Sequence, residues 1–213
     1  NFVNLNGGTM GTALLLSDGN LQGSDHTLLG PVTWTGTVIR GAAATTVAST
    51  LAISGDNDKN LSGGRVLNVG DTTWSGNTAA GYNRIRFTGG TINSSGTWTD
   101  TNAFDAYTYS YSGSNAFNNL GTYDKLGNTT TTMGVAYNNT GATNVNAGRF
   151  ALTGGSASAS SFVVASGAVL DFNNGTHDLN AASITGAGTT EISGSSGYNF
   201  VNLNGGAMGT GLP

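Results

Sequence analysis

The residues of this sequence best suited to chemistry are a histidine and a few carboxylates in its second half. His177 and Asp178 are adjacent, with Asp171 and Glu191 nearby in the sequence. These are the residue types of general acid–base catalysis, and polysaccharide hydrolysis needs two such carboxyl groups on one groove. Because Glu191 is the only glutamate and the acids are spaced irregularly, the sequence favours solvated turn residues over a catalytic pair.

A second acidic stretch has the donor atoms of a cation site. Asp56, Asn57 and Asp58 could supply oxygen ligands to Ca²⁺, but the later glutamate and the fixed spacing of an EF-hand loop are missing. The glycine-rich nonapeptide that binds Ca²⁺ in other repeat proteins is also missing. The sequence therefore predicts a polar turn here, with no metal and no cofactor.

Three tyrosines form a candidate binding surface. Tyr107, Tyr109 and Tyr111 alternate with Thr108 and Ser110, so a strand would place the three rings on one side. If that side faces outward, sugar rings could stack on the phenols and bond to their hydroxyls. The alternative is an aromatic ladder that covers the core or a neighbouring loop.

Two arginines precede the tyrosines with the same alternation. Arg84 and Arg86 flank Ile85, and Phe87 follows, which predicts that both guanidinium groups face outward while the apolar pair faces the core. The arginines are expected either to pair with acids on adjacent turns of the chain or to meet an anionic glycan.

The composition limits the elements that can position these residues. Glycine makes up 35 of the 213 residues, charged residues make up only 8%, and the net charge is −4. Because the core is thin and the chain carries little charge, the backbone N–H and C=O groups must form their hydrogen bonds by strand pairing. Seven basic residues against eleven acidic ones argue against nucleic acid as a partner. The absence of cysteine and of a long apolar segment favours an exported chain with no membrane span in this segment.

The sequence also repeats itself at its two ends. Asn1 to Thr12 reads NFVNLNGGTMGT and Asn199 to Thr210 reads NFVNLNGGAMGT, so 11 of 12 positions are identical at an offset of 198 residues. A tandem array explains this return, because the next copy would begin there. We therefore expect residues 1–198 to form one super-repeat that residues 199–213 begin again, and the copies to continue one helix without a break.

A shorter period runs through the middle of the chain. One template, a large apolar residue followed by Asn, two variable residues, Gly and a small residue, recurs with its glycine at Gly96, Gly121 and Gly141. Spacings of this kind, from about 20 to about 26 residues, are typical of the coils of a β-solenoid that stacks by parallel strand pairing. The positions predicted to form its turns and ladders are Asn93, Gly96, Asn118, Gly121, Asn138 and Gly141.

Each template position has a mechanical interpretation. The large residue points into the core, and the asparagines can stack on one another at intervals of about 4.8 Å, as in other side-chain ladders. The glycine is expected to adopt a backbone conformation that is closed to residues with a Cβ. The sequence thus predicts an all-β fold with little or no helix.

Three segments carry a resemblance to known proteins: FNNLGTYDKLGNTTTT, YNNTGATNVNAGRFALTGG and FVVASGAVLDFNNGTHDLNAASITGAGT. They resemble repeats of very large bacterial surface and secreted proteins of the filamentous-haemagglutinin and adhesin kind. The resemblance implies a right-handed parallel β-helix at the bacterial cell surface or outside the cell.

Three functions follow as hypotheses. The first is a structural repeat of a filament, sheath or adhesin stalk, whose partners are further copies end to end and neighbouring filaments at its sides. The second is an adhesin module that binds a glycan or matrix with its tyrosine face. The third is a polysaccharide-degrading enzyme, in which substitution of Asp171 or His177 would abolish turnover; the sequence ranks it last, and we expect a protein that is not an enzyme.

Overall fold

The chain folds as a β-solenoid of about nine turns, seen in a computed structural model that describes residues 2–76, 83–194 and 199–209. Most turns contribute three short strands, and each strand pairs in parallel with its counterpart one turn on. The described residues contain no helix, and hence none that could cross a membrane. The predicted all-β class and parallel stacking are confirmed.

Three columns of stacked strands, here called the first, second and third faces, form the walls of the solenoid. The first face consists of Phe2–Asn4, Asn20–Gln22, Val38–Arg40, the starts of Lys59–Val69 and Arg84–Ser94, Ala106–Ser112, Thr130–Gly134, Arg149–Leu152, Val169–Asn173 and Thr189–Ser193. The second consists of Thr9–Met10, His26–Leu28, Ala44–Val47, the ends of the same two long strands, Ala116–Asn119, Ala136–Asn139, Ser156–Ser158, Gly175–Asn180 and Asn199–Asn204. The third consists of Leu14–Leu16, Val32–Trp34, Leu51–Ile53, Thr72–Trp74, Thr97–Asp100, Thr122–Lys125, Ala142–Val145, Phe162–Val164, Ser183–Gly186 and Ala207–Met208.

The turns are less uniform than the sequence predicts. Leu61 pairs with Phe87, which puts that turn at the upper end of the predicted range. Val3 pairs with Leu21, so the first turn is shorter than the spacing between any two of the template glycines. The predicted range is therefore too narrow at its lower end. The difference lies in the corners, since the early turns join their three strands by short connections.

Two long strands continue through the corner between the first and second faces: Lys59–Val69 and Arg84–Ser94. In the first of them, Gly63 and Gly64 have φ angles of 72° and 84°, a conformation that residues with a Cβ rarely adopt. The pairing between the two strands shifts at this point. One strand can therefore change direction from the first face to the second and keep its hydrogen bonds on both.

The core is a column of inward side chains in which aromatic rings contact one another from turn to turn. The ring centroids of Trp98 and Phe117 lie 4.8 Å apart at an interplanar angle of 85°, and those of Tyr123 and Phe150 also lie 4.8 Å apart. Tyr137 stacks on Phe117 at 5.8 Å. All five rings are fully buried, so large side chains fill an interior that the glycine-rich walls leave narrow.

The template glycines serve a different purpose from the one expected. Gly96, Gly121 and Gly141 do not have a positive φ, so the interpretation based on a special backbone conformation is wrong. A Cβ on Gly141 would lie less than 3 Å from the carbonyl oxygen of Gly121, and a Cβ on Gly121 would meet Gly96 in the same way. These glycines are required because the backbones of successive turns touch at this corner.

Candidate functional site

A ladder of asparagine side chains runs along the outside of the second face. Asn93 Nδ2 donates to Asn68 Oδ1 at 2.8 Å, and Asn118 Nδ2 donates to Asn93 Oδ1 at 2.7 Å. Asn138 Nδ2 continues the series to Asn118 Oδ1 at 2.8 Å. Asn93 and Asn118 each donate to the preceding amide and accept from the following one, so the ladder joins four turns through their side chains as well as their backbones.

A second, inward ladder lies beside it and is not part of the sequence prediction. Asn119 and Asn139 are fully buried. Asn119 Nδ2 donates to Asn139 Oδ1 at 2.8 Å and to the Ala142 carbonyl oxygen at 2.7 Å. Each follows the outer asparagine of its template by one residue, so the alternation itself indicated an inward position. The inward asparagines were not predicted because buried amide side chains are uncommon.

The two arginines of the first face hold one carboxylate. Asp58 accepts from Arg84 Nε and Nη2 at 2.8 and 2.9 Å, and from Arg86 Nη1 at 3.1 Å. Ile85 and Phe87 are fully buried, as the alternation predicts. The expected pairing of the arginines with an acid on an adjacent turn is present. The pairing also leaves Asp58, the last residue of the predicted polar turn, already bound to cationic partners.

The tyrosines face outward on the strand that follows. Tyr109 and Tyr111 are 51% and 64% exposed, and Tyr107 is half-buried, whereas Thr108 between them is buried. The Tyr109 and Tyr111 rings lie 6.4 Å apart with an interplanar angle of 54°. The guanidinium carbon of Arg86 lies 5.2 Å from the centroid of the Tyr111 ring. The rings therefore do not cover the core, and they form one outward surface with the arginines.

An open groove of about 520 Å³ adjoins this surface. Its walls include Arg84, Tyr107, Tyr109, Thr132 and Thr153. Aromatic rings, hydroxyl groups and a guanidinium group are thus within reach of one ligand. This combination is suited to a sugar, which offers apolar C–H faces for stacking and hydroxyls for hydrogen bonds.

The carboxylates of the second half are not solvated turn residues. Asp171 lies in a strand and is fully buried, where it accepts from Arg149 Nη2 at 2.6 Å and from Ser193 Oγ at 2.8 Å. The same Arg149 Nη2 donates to Glu191 at 2.6 Å. Burial opposes the charged guanidinium, but these charge-assisted bonds outweigh it and raise the pKa of Arg149. The prediction of a solvated turn is wrong because it did not anticipate Arg149. The Asp171 side chain points outward from the strand, and Arg149 covers it.

His177 is also buried, on the inner side of the second face. Its Nε2 lies 2.9 Å from the Asn174 carbonyl oxygen, which can only accept, and its Nδ1 lies 2.9 Å from Ser156 Oγ. Burial lowers the pKa of His177, which favours a neutral ring that donates from Nε2 and accepts at Nδ1. Asp178 points to the opposite, outer side, so the adjacent pair in the sequence does not act on one groove.

Three cations lie in the interior of the described part of the solenoid, at its corners. Lys59 Nζ donates to the Gly55 carbonyl oxygen at 2.6 Å, Arg65 donates to the carbonyls of Arg40 and Gly23, and Lys125 donates to that of Gly127. All three are fully buried. Burial lowers the pKa of each of them. Their common role is to donate to backbone carbonyls at or next to the corners.

Asp100 is an interior carboxylate, and four donors surround it. Its Oδ2 accepts from Thr131 Oγ1 at 2.6 Å and from the Tyr123 hydroxyl at 3.1 Å. Its Oδ1 accepts from the backbone N and from Nδ2 of Asn102 at 3.2 and 2.7 Å. Lys125 occupies the paired position on the next turn. Burial, followed by the charge of Asp100, raises the pKa of Tyr123, so its hydroxyl keeps the proton that it donates.

We expect Lys59 to make stability depend on pH in the alkaline range. Burial lowers its pKa from 10.5 to about 8, so between these values the unfolded chain holds a proton that the folded chain has lost. The free energy of unfolding should therefore rise with pH from about 8 to about 9.5, by roughly 1 to 2 kcal/mol. Below about 8 both states are protonated and this contribution is constant. Urea unfolding at pH 7, 8, 9 and 9.5 measures it.

The Lys59→Met variant is the matched control, because it keeps the length of the side chain and removes the titrating group. Its free energy of unfolding should rise less over this range, and the rise that remains is attributed to Lys125, whose pKa burial also lowers. Above about pH 10 the raised pKa values of Tyr123 and Tyr137 act in the opposite direction, since the unfolded chain then loses phenol protons that the folded chain retains. An equal rise in both proteins would contradict the role given to Lys59.

No protein-family model, curated protein or solved structure matches the chain. Among the described residues, no group of three or more His, Cys, Asp or Glu side chains is arranged to hold a metal ion. The candidate functional surfaces are the asparagine ladder of the second face and the tyrosine–arginine surface of the first.

Proposed function

We propose that this chain is a structural repeat of an extracellular bacterial filament, sheath or adhesin stalk, whose function is to form a stiff rod. The observation that carries the proposal is the unbroken parallel stacking of three faces over about nine turns. Every turn is joined to the next by backbone hydrogen bonds along three lines, which resists bending in every direction. The tandem character of the sequence supplies the means of extending the rod.

The interior of the solenoid supports the same proposal. Buried asparagines, threonines and cations bind the backbone at the corners, and the outer asparagine ladder adds a line of side-chain bonds on the second face. Such a molecule holds its shape along its whole length without a large globular core. The surface carries few charges, and its outward positions are mostly hydroxyl and amide groups, which suits contact with other filaments through hydrogen bonds.

A protein of two or three successive copies tests the rod. We expect electron micrographs to show one continuous particle that lengthens by about 40 to 45 Å per copy, with a fibre-diffraction spacing near 4.8 Å. Globular beads joined by flexible connections would contradict the proposal.

The tyrosine–arginine surface favours a second candidate function, glycan or matrix binding by an adhesin module. Its support is the outward exposure of Tyr109 and Tyr111 next to an open groove, since large aromatic side chains at a surface are often binding residues. Asp58 already neutralises one of the two arginine charges, so a neutral or weakly acidic sugar fits better than a highly charged polyanion.

We expect substitution of Tyr107, Tyr109 and Tyr111 by Ser to reduce binding on a glycan array at least tenfold, because each exposed ring that stacks on a sugar contributes about 1 kcal/mol. A Tyr109→Phe, Tyr111→Phe variant keeps the rings and removes two hydroxyls, and it should retain most of the binding. Melting temperatures of both variants verify that the solenoid is intact. Equal binding by all three proteins would leave the rod as the only function of this face.

A further inference from the structure

The two copies of the terminal sequence occupy different faces of the solenoid. In the first copy, Val3 lies on the first face and pairs with Leu21, and Thr9 lies on the second face and pairs with Thr27. In the last copy, Val201 lies on the second face and pairs with His177. The nearly identical sequences thus begin at different positions around the axis. Asn1 and Thr210, the outermost positions of the two copies, lie outside the described residues.

The displacement is the same at a second point of the copy. Ala207, which corresponds to Thr9, pairs with Ser183 on the third face. Both described strands of the last copy have therefore advanced by one face in the direction of the chain. The inward and outward pattern is unchanged, because Val3 and Val201 both align with inward residues, Leu21 and His177. A slip of one residue along the strand, which would reverse that pattern, does not explain the difference.

We infer that one 198-residue repeat advances the solenoid by nine turns and one face, so that each copy is rotated by about a third of a turn relative to the one before. The inference rests on the proposed continuous rod. The last copy starts on the turn that begins with Thr189–Ser193 on the first face, nine turns beyond Phe2–Asn4. On the second face of this turn lies Asn199–Asn204, the beginning of the repeat. A following copy in the same register therefore starts on the second face.

The rotation determines where every surface of the repeat recurs. The tyrosine–arginine surface of one copy would lie about a third of a turn away from that of the next, and it would return to the same side after three copies, about 135 Å along the rod. A rod of this kind presents the surface on three sides. It is suited to binding neighbours or ligands all around its circumference, whereas a repeat of whole turns would place every copy on one side.

The register of the last copy can be tested in the 213-residue chain, which contains no cysteine. Asn202 Nδ2 donates to Asp178 Oδ1 at 2.7 Å, and both residues lie on the outer side of paired strands. We expect a D178C/N202C variant to form a disulfide on mild oxidation in most molecules, since paired strands bring Cα atoms within the range that a disulfide spans. A melting curve of the reduced variant verifies that it is folded.

The alternative register has its own reporter. Only 11 residues separate Glu191 from Asn202, too few for another turn. If the last copy sat on the first face, as the first copy does, its strand would therefore replace Thr189–Ser193 beside Val169–Asn173, and Asn202 would lie opposite Asp171 in the place of Glu191. A disulfide in a D171C/N202C variant, with none in D178C/N202C, would overturn the inference. We expect the opposite result, measured as the fraction of intramolecular disulfide by mass spectrometry.

The rotation itself can be measured between spin labels in a protein of two copies. Thr132 lies on the first face and Ala157 on the second, both outward. One protein carries a label at Thr132 in both copies, and the other carries it at Ala157 in the first copy and Thr132 in the second. If the second copy is rotated, the mixed pair lies on one side of the rod and should be closer than the matched pair by about 10 Å.

Without rotation, the label-to-label distances of the mixed and matched pairs should agree within a few ångströms. The mixed pair is then closer along the rod axis, but its labels lie on different faces, and the two differences cancel. That result in a continuous rod would overturn the rotation and leave the rod standing. A broad distribution of distances in both proteins, together with beaded particles in micrographs, would instead reject the rod itself. The two failures are thus distinguishable.

Discussion

Gly141→Ala is expected to lower the free energy of unfolding by at least about 3 kcal/mol, the upper range for forcing extra volume into a packed site. The added methyl would lie less than 3 Å from the carbonyl oxygen of Gly121 on the preceding turn. That oxygen accepts a hydrogen bond from Ala142 N at 2.8 Å, so it cannot retreat without loss of pairing between the turns. Urea unfolding followed by circular dichroism measures the effect.

Two other glycines separate close approach from backbone strain. Gly11 has neither a positive φ nor a neighbour within 4 Å of an added Cβ, so Gly11→Ala should change stability by no more than about 0.5 kcal/mol. Gly167 has a φ of 82° and an equally open site, so Gly167→Ala should cost about 1 to 2 kcal/mol through strain alone. If Gly141→Ala does not fold, expression of the two controls still identifies crowding between turns as the cause. A Gly141→Ala protein as stable as Gly11→Ala would contradict the assigned close contact.

Much of the fold could be predicted from the sequence, because in a solenoid the local alternation is also the tertiary pattern. Phe150, Leu152, Leu170 and Phe172 follow a period of two, and all four are fully buried. The spacing of the template glycines predicted parallel stacking. The asparagines of the templates lie above one another for the same reason, since the repeat of the sequence and the repeat of the structure coincide there.

The face on which each strand lies could not be predicted. It depends on the summed lengths of all preceding turns, and these lengths are unequal because the corners differ, as the short turn from Val3 to Leu21 and the long one from Leu61 to Phe87 show. For this reason the two terminal copies were expected to occupy equivalent positions in the solenoid. Their displacement by one face is visible only in the strand pairing.

The interior charges were missed for a different reason. The alternation of Trp98, Thr99 and Asp100 places Asp100 on the same side as the buried Trp98. Acidic residues are rarely buried without partners, and the partner Thr131 lies 31 residues away in the sequence. No local sequence pattern predicts such a pairing. Nor does one predict the ion pair of Arg149 with Asp171, which are 22 residues apart.

The second large effect is expected at this interior carboxylate. Asp100→Asn should lower the free energy of unfolding by about 3 to 5 kcal/mol, the usual consequence of removing one member of a buried charged network. Asp100 accepts from Thr131, Tyr123 and Asn102 with both oxygens. An amide in its place turns one of its atoms into a donor that faces donors, and it leaves Lys125 without the nearby negative charge that supports its protonated form.

Asp124→Asn is the matched control, on the same face one turn on. Asp124 points outward, is only half-buried and accepts from a single side chain, Asn144, at 2.7 Å, so its substitution should cost about 1 kcal/mol or less. Equal losses for Asp100→Asn and Asp124→Asn in urea unfolding would contradict the interior network. A large loss confined to Asp100 would show that the solenoid depends on a charge held within its core, where successive turns must keep their register for the four donors to meet one carboxylate. The interior network would then hold successive turns in register from inside, as the asparagine ladder does from outside.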